Sequence, residues 1–200
     1  FATKLETFIR SRQLTAGSIT MRTYLVAFAL CGALTIVESS KCDQKIIEKM
    51  KEIWGNCIPN ILETAVAYGK EVIVATTPLY YASDRKCVYS IFIKEEDQYK
   101  IVNTEVPYEG SEIRVVLPIN EYEGYTNVPG RTIRRYYAFY EGGVQLVYKC
   151  TTDGEEGDAE GAVKVRASGY DEEKLTEACE IAQKLGITLS TEFDRSCIYC

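Results

Sequence analysis

The stretch Ala67–Pro78, AYGKEVIVATTP, reads as a buried β-strand with one residue out of place. Val72, Ile73, Val74 and Ala75 form an apolar, β-branched run between Gly69 and Pro78, the pattern of a covered strand. Glu71 stands at its entrance. A carboxylate there must be solvated, paired or protonated. The choice depends on what the rest of the chain builds around it.

Six further strand-like runs follow, at 86–94 (KCVYSIFIK), 98–107 (QYKIVNTEVP), 111–119 (SEIRVVLPI), 131–140 (RTIRRYYAFY), 143–151 (GVQLVYKCT) and 161–168 (GAVKVRAS). The runs at 131–140 and 143–151, joined through EGG, form a hairpin pattern. Residues 120–130, NEYEGYTNVPG, are the weakest strand candidate, and TDGEEGDAEG is a polar acidic loop. Short strands at regular spacing argue for an antiparallel sandwich or barrel. Two helical patterns flank them. CDQKIIEKMKEIWGNC, Cys42–Cys57, sets Ile46, Ile47, Met50, Ile53 and Trp54 at helical spacing, with Gly55 as the stop. DEEKLTEACEIAQKLG, Asp171–Gly186, has an N-cap aspartate, two glutamates in its first turn and a closing glycine. Its apolar stripe is Leu175, Ala178, Cys179, Ala182 and Leu185. ITLSTEF then reads as a last short strand.

The front of the chain has a different character. Met21 and Arg22 lead into the apolar run TYLVAFALCGALTIV, with small residues at Val37 and Ser39 before the expected cleavage point. That is the layout of a secretory signal peptide over 21–39, with 1–20 an upstream leader and 40–200 the single folded domain. The run is too short for a confident membrane span. Residues 1–20 carry three basic and one acidic side chain and 21–40 one of each, so the net charge passes from −6 to −8 without them. Such an acidic chain is not expected to bind nucleic acid or an anionic membrane. It contains no histidine, which excludes Ser-His-Asp and Cys-His catalysis, histidine-ligated haem and most catalytic zinc sites. No enzymatic constellation, metal site or required cofactor is expected. It has no N-x-S/T glycosylation sequon. Beyond Cys31 in the signal run, Cys42, Cys57, Cys87, Cys150, Cys179, Cys197 and Cys200 allow three disulfides and one leftover thiol in a secreted protein.

The order of strands, helix and tail behind a signal peptide resembles the lipocalin family, in its arthropod bilin- and lipid-binding branch. The family opens its first strand with G-x-W and an apolar run, and Gly69-Lys70-Glu71-Val72-Ile73-Val74-Ala75 fits in register, with glutamate in place of tryptophan. Cys87 after the loop TTPLYYASDRK matches the cysteine that opens the second strand. VQLVYKC resembles the second motif region, although Phe139-Tyr140 replaces its Thr-Asp, and Arg166 matches the basic residue that ends the last strand. The resemblance spans about Cys57 to Cys200. It implies a mostly β fold: an eight-stranded antiparallel up-and-down barrel with a C-terminal α-helix and a short N-terminal helix.

The resemblance also implies roles for residues. Cys57 would pair with Cys150, and Cys87 with Cys197 or Cys200. Cys42–Cys179 is a possible third bond, with Cys42–Cys200 its rival. Glu71 and Arg166 would form an ion pair where relatives stack a cation on a ring. If the family's facing carries over, Gln145, Val147 and Lys149 line the cavity, with Arg134, Tyr136 and Ala138 from the neighbouring strand and Ala162 and Lys164 from the last. In the reversed facing the cavity is Tyr137, Phe139, Leu146, Tyr148 and Val165. The first arrangement is favoured, because the helix needs the apolar bed of Leu146, Tyr148, Val163 and Val165. Its interior is basic and suits an amphipathic ligand with an acidic head, such as a fatty acid.

The implied function is secreted, extracellular binding or transport of a small hydrophobic or amphipathic ligand, with a lipid, pigment or retinoid as possible cargo. The alternative is a salivary-type lipocalin that binds a partner protein or an amine, with the acidic loop TDGEEGDAEG offered to a basic partner.

Overall fold

The computed structural model describes residues 39–55, 60–78, 80 and 84–199, with the backbone alone at 199. The expected leader and signal peptide, Cys57, Tyr81 and Cys200 lie outside these residues.

Helix α1 (Gln44–Trp54) starts at Asp43, whose side chain accepts the Lys45 N–H, and stops where Gly55 turns to φ 57°. It buries Ile46, Ile47 and Met50, while Ile53 stays exposed. Helix α2 (Ile61–Tyr68) takes the front of what the sequence suggested as the first strand. Its start was written in the chain: Asn60 accepts the Glu63 N–H. The carboxylate of Glu121 also accepts the Ile61 and Leu62 N–H groups at 2.8 and 2.9 Å, so a distant strand holds the positive end of this short helix.

The strands are β1 (Lys70–Thr76), β2 (Arg85–Glu95), β3 (Gln98–Pro107), β4 (Ile113–Pro118), β5 (Asn120–Tyr122), β6 (Tyr125–Asn127), β7 (Ile133–Glu141), β8 (Val144–Thr151), β9 (Glu160–Arg166) and the two-residue β10 (Thr191–Glu192). The sheet runs β4-β3-β2-β1-β9-β8-β7-β6-β5, with β10 added to β1. All its ladders are antiparallel, giving a nearly closed up-and-down barrel. Its path has nine strands where eight were expected. The extra strand comes from 120–130, the weakest strand candidate, which folds into β5 and β6 paired with each other through a turn at Gly124, φ 81°. Between β7 and β8, Gly142 and Gly143 both take positive φ, 60° and 78°, which suits a two-residue hairpin turn.

Helix α3 (Glu172–Lys184) is capped by Asp171, and Gly186 follows it at φ 78°. Leu175, Ala178, Ile181 and Ala182 of α3 pack with Val144, Leu146, Val163 and Val165 on the outer barrel wall. Ile181 belongs to this stripe, and Cys179 is an exposed free thiol. Inside, Ile61, Leu62 and Ala65 of α2 close the floor against Phe92, Ile101, Ile119, Tyr137, Tyr140 and Val147.

Candidate functional site: the barrel lumen

The facing of each strand follows from the registers. Gln145, Val147 and Lys149 of β8 pair with Lys164, Ala162 and Glu160 of β9, and these positions face the interior, opposite the wall under α3. On β7, Arg135 and Tyr137 share this face, opposite Lys149 and Val147. A bulge between Tyr137 and Phe139 then shifts the alternation, so Tyr140, opposite Gln145, also faces inward. The carbonyl of Tyr137, at this bulge, accepts the indole N–H of Trp54.

Glu71 lies at the floor and is completely buried, at 0% exposure. Gln145 donates its side-chain N–H to Oε1 of Glu71, and the Tyr140 hydroxyl donates to the same oxygen at 3.3 Å. Oε2 of Glu71 and Oε1 of Gln145 are buried without a partner among the described residues. Lys164 supplies the attractive charge on Glu71, and its ammonium donates to Ser90 Oγ at 3.4 Å. Burial pushes the Glu71 carboxyl up to about 7, against the pull of Lys164 and of the Gln145 and Tyr140 hydrogen bonds. Burial likewise pushes Lys164 down, with Glu71 opposing. The floor is therefore filled by its own polar side chains, one of them a carboxylate poised near neutrality.

Toward the mouth lies a second polar group. Lys149 Nζ meets Glu160 Oε2 at 2.7 Å and sits 4.6 Å from the centre of the Tyr80 ring. Glu160 also accepts the Ser40 N–H at 2.9 Å and the Ser39 hydroxyl at 3.4 Å, which ties the N-terminal segment to the barrel rim. Arg135 hydrogen-bonds Tyr80, yet its Nη1 is buried without a partner among the described residues. The mouth is not uniformly polar. Ile113 and Val115 pair with Glu105 and Asn103 in the β3–β4 ladder; Asn103 meets Ser90 at 2.9 Å, so this side of β4 faces the lumen. Ile113 and Val115 are nonetheless 45% and 43% exposed. Where β4 parts from β5 and β6, an apolar strip of inner wall stands open to solvent.

Several sequence expectations need correction. Arg134 and Tyr136 face outward, one residue out of phase with the lumen: Arg134 lies 4.8 Å from the Tyr125 ring centre and donates to the Tyr136 hydroxyl at 3.3 Å. Ala138, at the bulge, belongs to the outer cluster. Cys150 is bonded to Cys42, not Cys57; this also removes Cys42 from any bond to Cys179 or Cys200. The second bond joins Cys87 and Cys197. Among the described residues no ion pair joins Glu71 to Arg166, although they are opposite in the β1–β9 register. Arg166 instead lies 5.2 Å from the Tyr68 ring centre and donates from Nε to the Gly169 carbonyl at 2.8 Å. Tyr68, on the unforeseen α2, supplies the ring that residue 71 lacks.

Sequence reasoning missed Arg135, Tyr140, Tyr80 and Glu160 as lumen residues, and Tyr137 entered only in the reversed facing. Strict alternation through RRYYAFY selects the wrong arginine and tyrosine: registered on its two glycines alone, the hairpin sets Tyr136 opposite Lys149, and only the bulge between Tyr137 and Phe139 brings Arg135 there. Glu160 looked like part of the solvated acidic loop. Among the described residues, no cluster of His, Cys, Asp and Glu could hold a metal ion, and no helix is long and apolar enough to cross a membrane.

No family model and no curated protein matches the chain. Solved structures do resemble it. Lobster apocrustacyanin A1 is 14% identical with a TM-score of 0.54, over 81% of this chain and 93% of that one. The cockroach major allergen Per a 4 is 10% identical with a TM-score of 0.54, over 66% and 89% of the two chains. Insecticyanin from the tobacco hornworm is 10% identical with a TM-score of 0.51, over 68% and 82%. With the nearly closed antiparallel barrel, its floor helix and its flanking C-terminal helix, these likenesses give the chain a lipocalin-like fold.

Proposed function

We propose that the protein is a secreted carrier whose lumen holds a small amphipathic molecule with an acidic head, of the fatty-acid class. One observation carries the reading: the lumen has an excess of cations, and one of their donors has no partner among the described residues. Arg135, Lys149 and Lys164 face Glu71 and Glu160, and Nη1 of Arg135 is buried without a partner. A buried guanidinium donor left open is costly, and a carboxylate satisfies it in the geometry a guanidinium favours. The exposed inner strip of Ile113 and Val115 offers an apolar bed for the tail. A lipid, pigment or retinoid bearing an acid fits the same description. The two disulfides support an oxidising, extracellular setting.

Organic extraction of the protein purified from a secreting host, followed by mass spectrometry, tests this. A stoichiometric acidic lipid or pigment is the expected result. An extract without one, together with no binding of added long-chain acids, would refute the reading.

A further inference from the structure

We infer that binding of an anionic head in this lumen is coupled to uptake of a proton by Glu71. The inference rests on the carrier reading above and concerns how that same site is regulated.

The geometry makes Glu71 an internal rival of the ligand. It is an anion at the floor of a cationic lumen, holding the two donors Gln145 and Tyr140 and the charge of Lys164. Every element around it is accounted for. From β2 comes neutral Ser90, its register partner. From β7 come Tyr140 and Tyr137, and from β8 comes Gln145. From β9 come Lys164 and, opposite Glu71 in the register, Arg166, which is turned away onto the α2 ring of Tyr68; Tyr68 stacks on Tyr140 with centroids 5.1 Å apart. Lys164 is the cation whose charge acts on Glu71, and Arg135, nearer the mouth, repels Lys164. An acidic head that reaches Arg135 enters the field of Lys164, where Glu71 already serves as counter-ion. Two carboxylates cannot share that field at low dielectric without a proton between them. The unpartnered Glu71 Oε2 and Gln145 Oε1 mark where the proton fits: protonated Oε2 becomes a donor, and Gln145 Oε1 is an acceptor still open. No bond is made or broken apart from this protonation, and solvent supplies the proton.

The free carboxyl, pushed up to about 7 by burial, places the coupling at physiological pH. Below that pH the rival is already neutral and binding is strong. Above it, each pH unit weakens binding about tenfold, because one proton must be acquired per head bound.

The experiment uses dodecyl sulfonate, whose head stays ionised at every pH used, and dodecanol as its neutral analogue. Both are titrated calorimetrically into delipidated protein from pH 6 to 9, with pH 7.5 repeated in phosphate and in Tris. The coupling predicts sulfonate affinity falling toward tenfold per unit above about pH 7, net proton uptake from the difference in heats between buffers, and a flat profile for dodecanol. Glu71→Gln should bind sulfonate as strongly at pH 8 as wild type does at pH 6. Sulfonate binding with a flat profile and no proton uptake overturns the coupling and leaves the carrier reading standing. Binding of neither compound overturns the carrier reading itself. The buffer comparison uses wild-type protein alone, so the coupling is decided even if the glutamine variant does not fold.

Discussion

Glu71 and Arg166 stand opposite each other in the β1–β9 register, yet their side chains go separate ways. Glu71 turns into the lumen toward Gln145, Tyr140 and Lys164. Arg166 crosses the rim to Tyr68. A double-mutant cycle on stability separates the two arrangements. Glu71→Gln with Arg166→Met should show coupling below about 0.5 kcal/mol, whereas Glu71→Gln with Lys164→Met should couple by about 1–3 kcal/mol. Arg166→Met alone should cost about 0.5–1 kcal/mol, the worth of an exposed cation–π contact. The reverse ranking in urea denaturation would place the counter-ion wrongly.

The raised Glu71 carboxyl makes a statement about stability and pH. Its folded value of about 7 exceeds the ordinary 4.5, so the folded state holds the proton more tightly than the unfolded chain. The stability this contributes is complete below about 4.5 and is lost as pH rises to about 7, amounting to about 3 kcal/mol. Carboxyl-carbon NMR of the native protein is the check. One glutamate signal, absent in Glu71→Gln, should titrate near neutrality; a Glu71 signal moving with the surface glutamates would contradict the buried floor.

The Lys149–Glu160 pair should behave as a buried ion pair, because both side chains are nearly inaccessible. Lys149→Met strands the Glu160 charge and should cost about 3–5 kcal/mol. Adding Glu160→Gln should recover part of that loss, since no uncompensated charge is then buried. Chemical denaturation of the single and double variants reads this directly, and a double variant worse than the sum of its parts would contradict it.

Cys42–Cys150 ties the N-terminal segment to β8 and closes a long loop, with a sequence separation of 108. Replacing both residues by serine should cost about 2–5 kcal/mol. Non-reducing peptide mapping should recover the Cys42–Cys150 and Cys87–Cys197 linkages, with Cys179 open to alkylation. A Cys57–Cys150 peptide would overturn this pairing.

The fold was legible where a single rule governs. Two adjacent glycines fixed the β7–β8 hairpin, and an N-cap aspartate with a helical stripe fixed α3. The readings that failed are those where tertiary structure overrides local pattern. Period-two alternation assigns Arg134 and Tyr136 to the lumen together with Tyr140, but the Ala138 bulge breaks that period and delivers Arg135 and Tyr137 in place of the first two. ILETAVAY shows little amphipathic contrast because α2 plugs the barrel floor, and its N-terminus is held by Glu121, sixty residues away in the chain. Glu71 was recognised as the anomalous residue. Its partner was misassigned, because register places Arg166 opposite it while the side chains, reaching along the barrel, select Lys164.

The central claim is that the lumen's spare cation receives an acidic head. It is tested most directly by calorimetric titration of delipidated wild-type protein and of Arg135→Met with oleate at pH 6.5. The prediction is one saturable site in the wild type and at least about tenfold weaker binding in the variant, the low end for loss of a charged hydrogen bond. Equal affinity in the two proteins, or no binding to either, would contradict the claim.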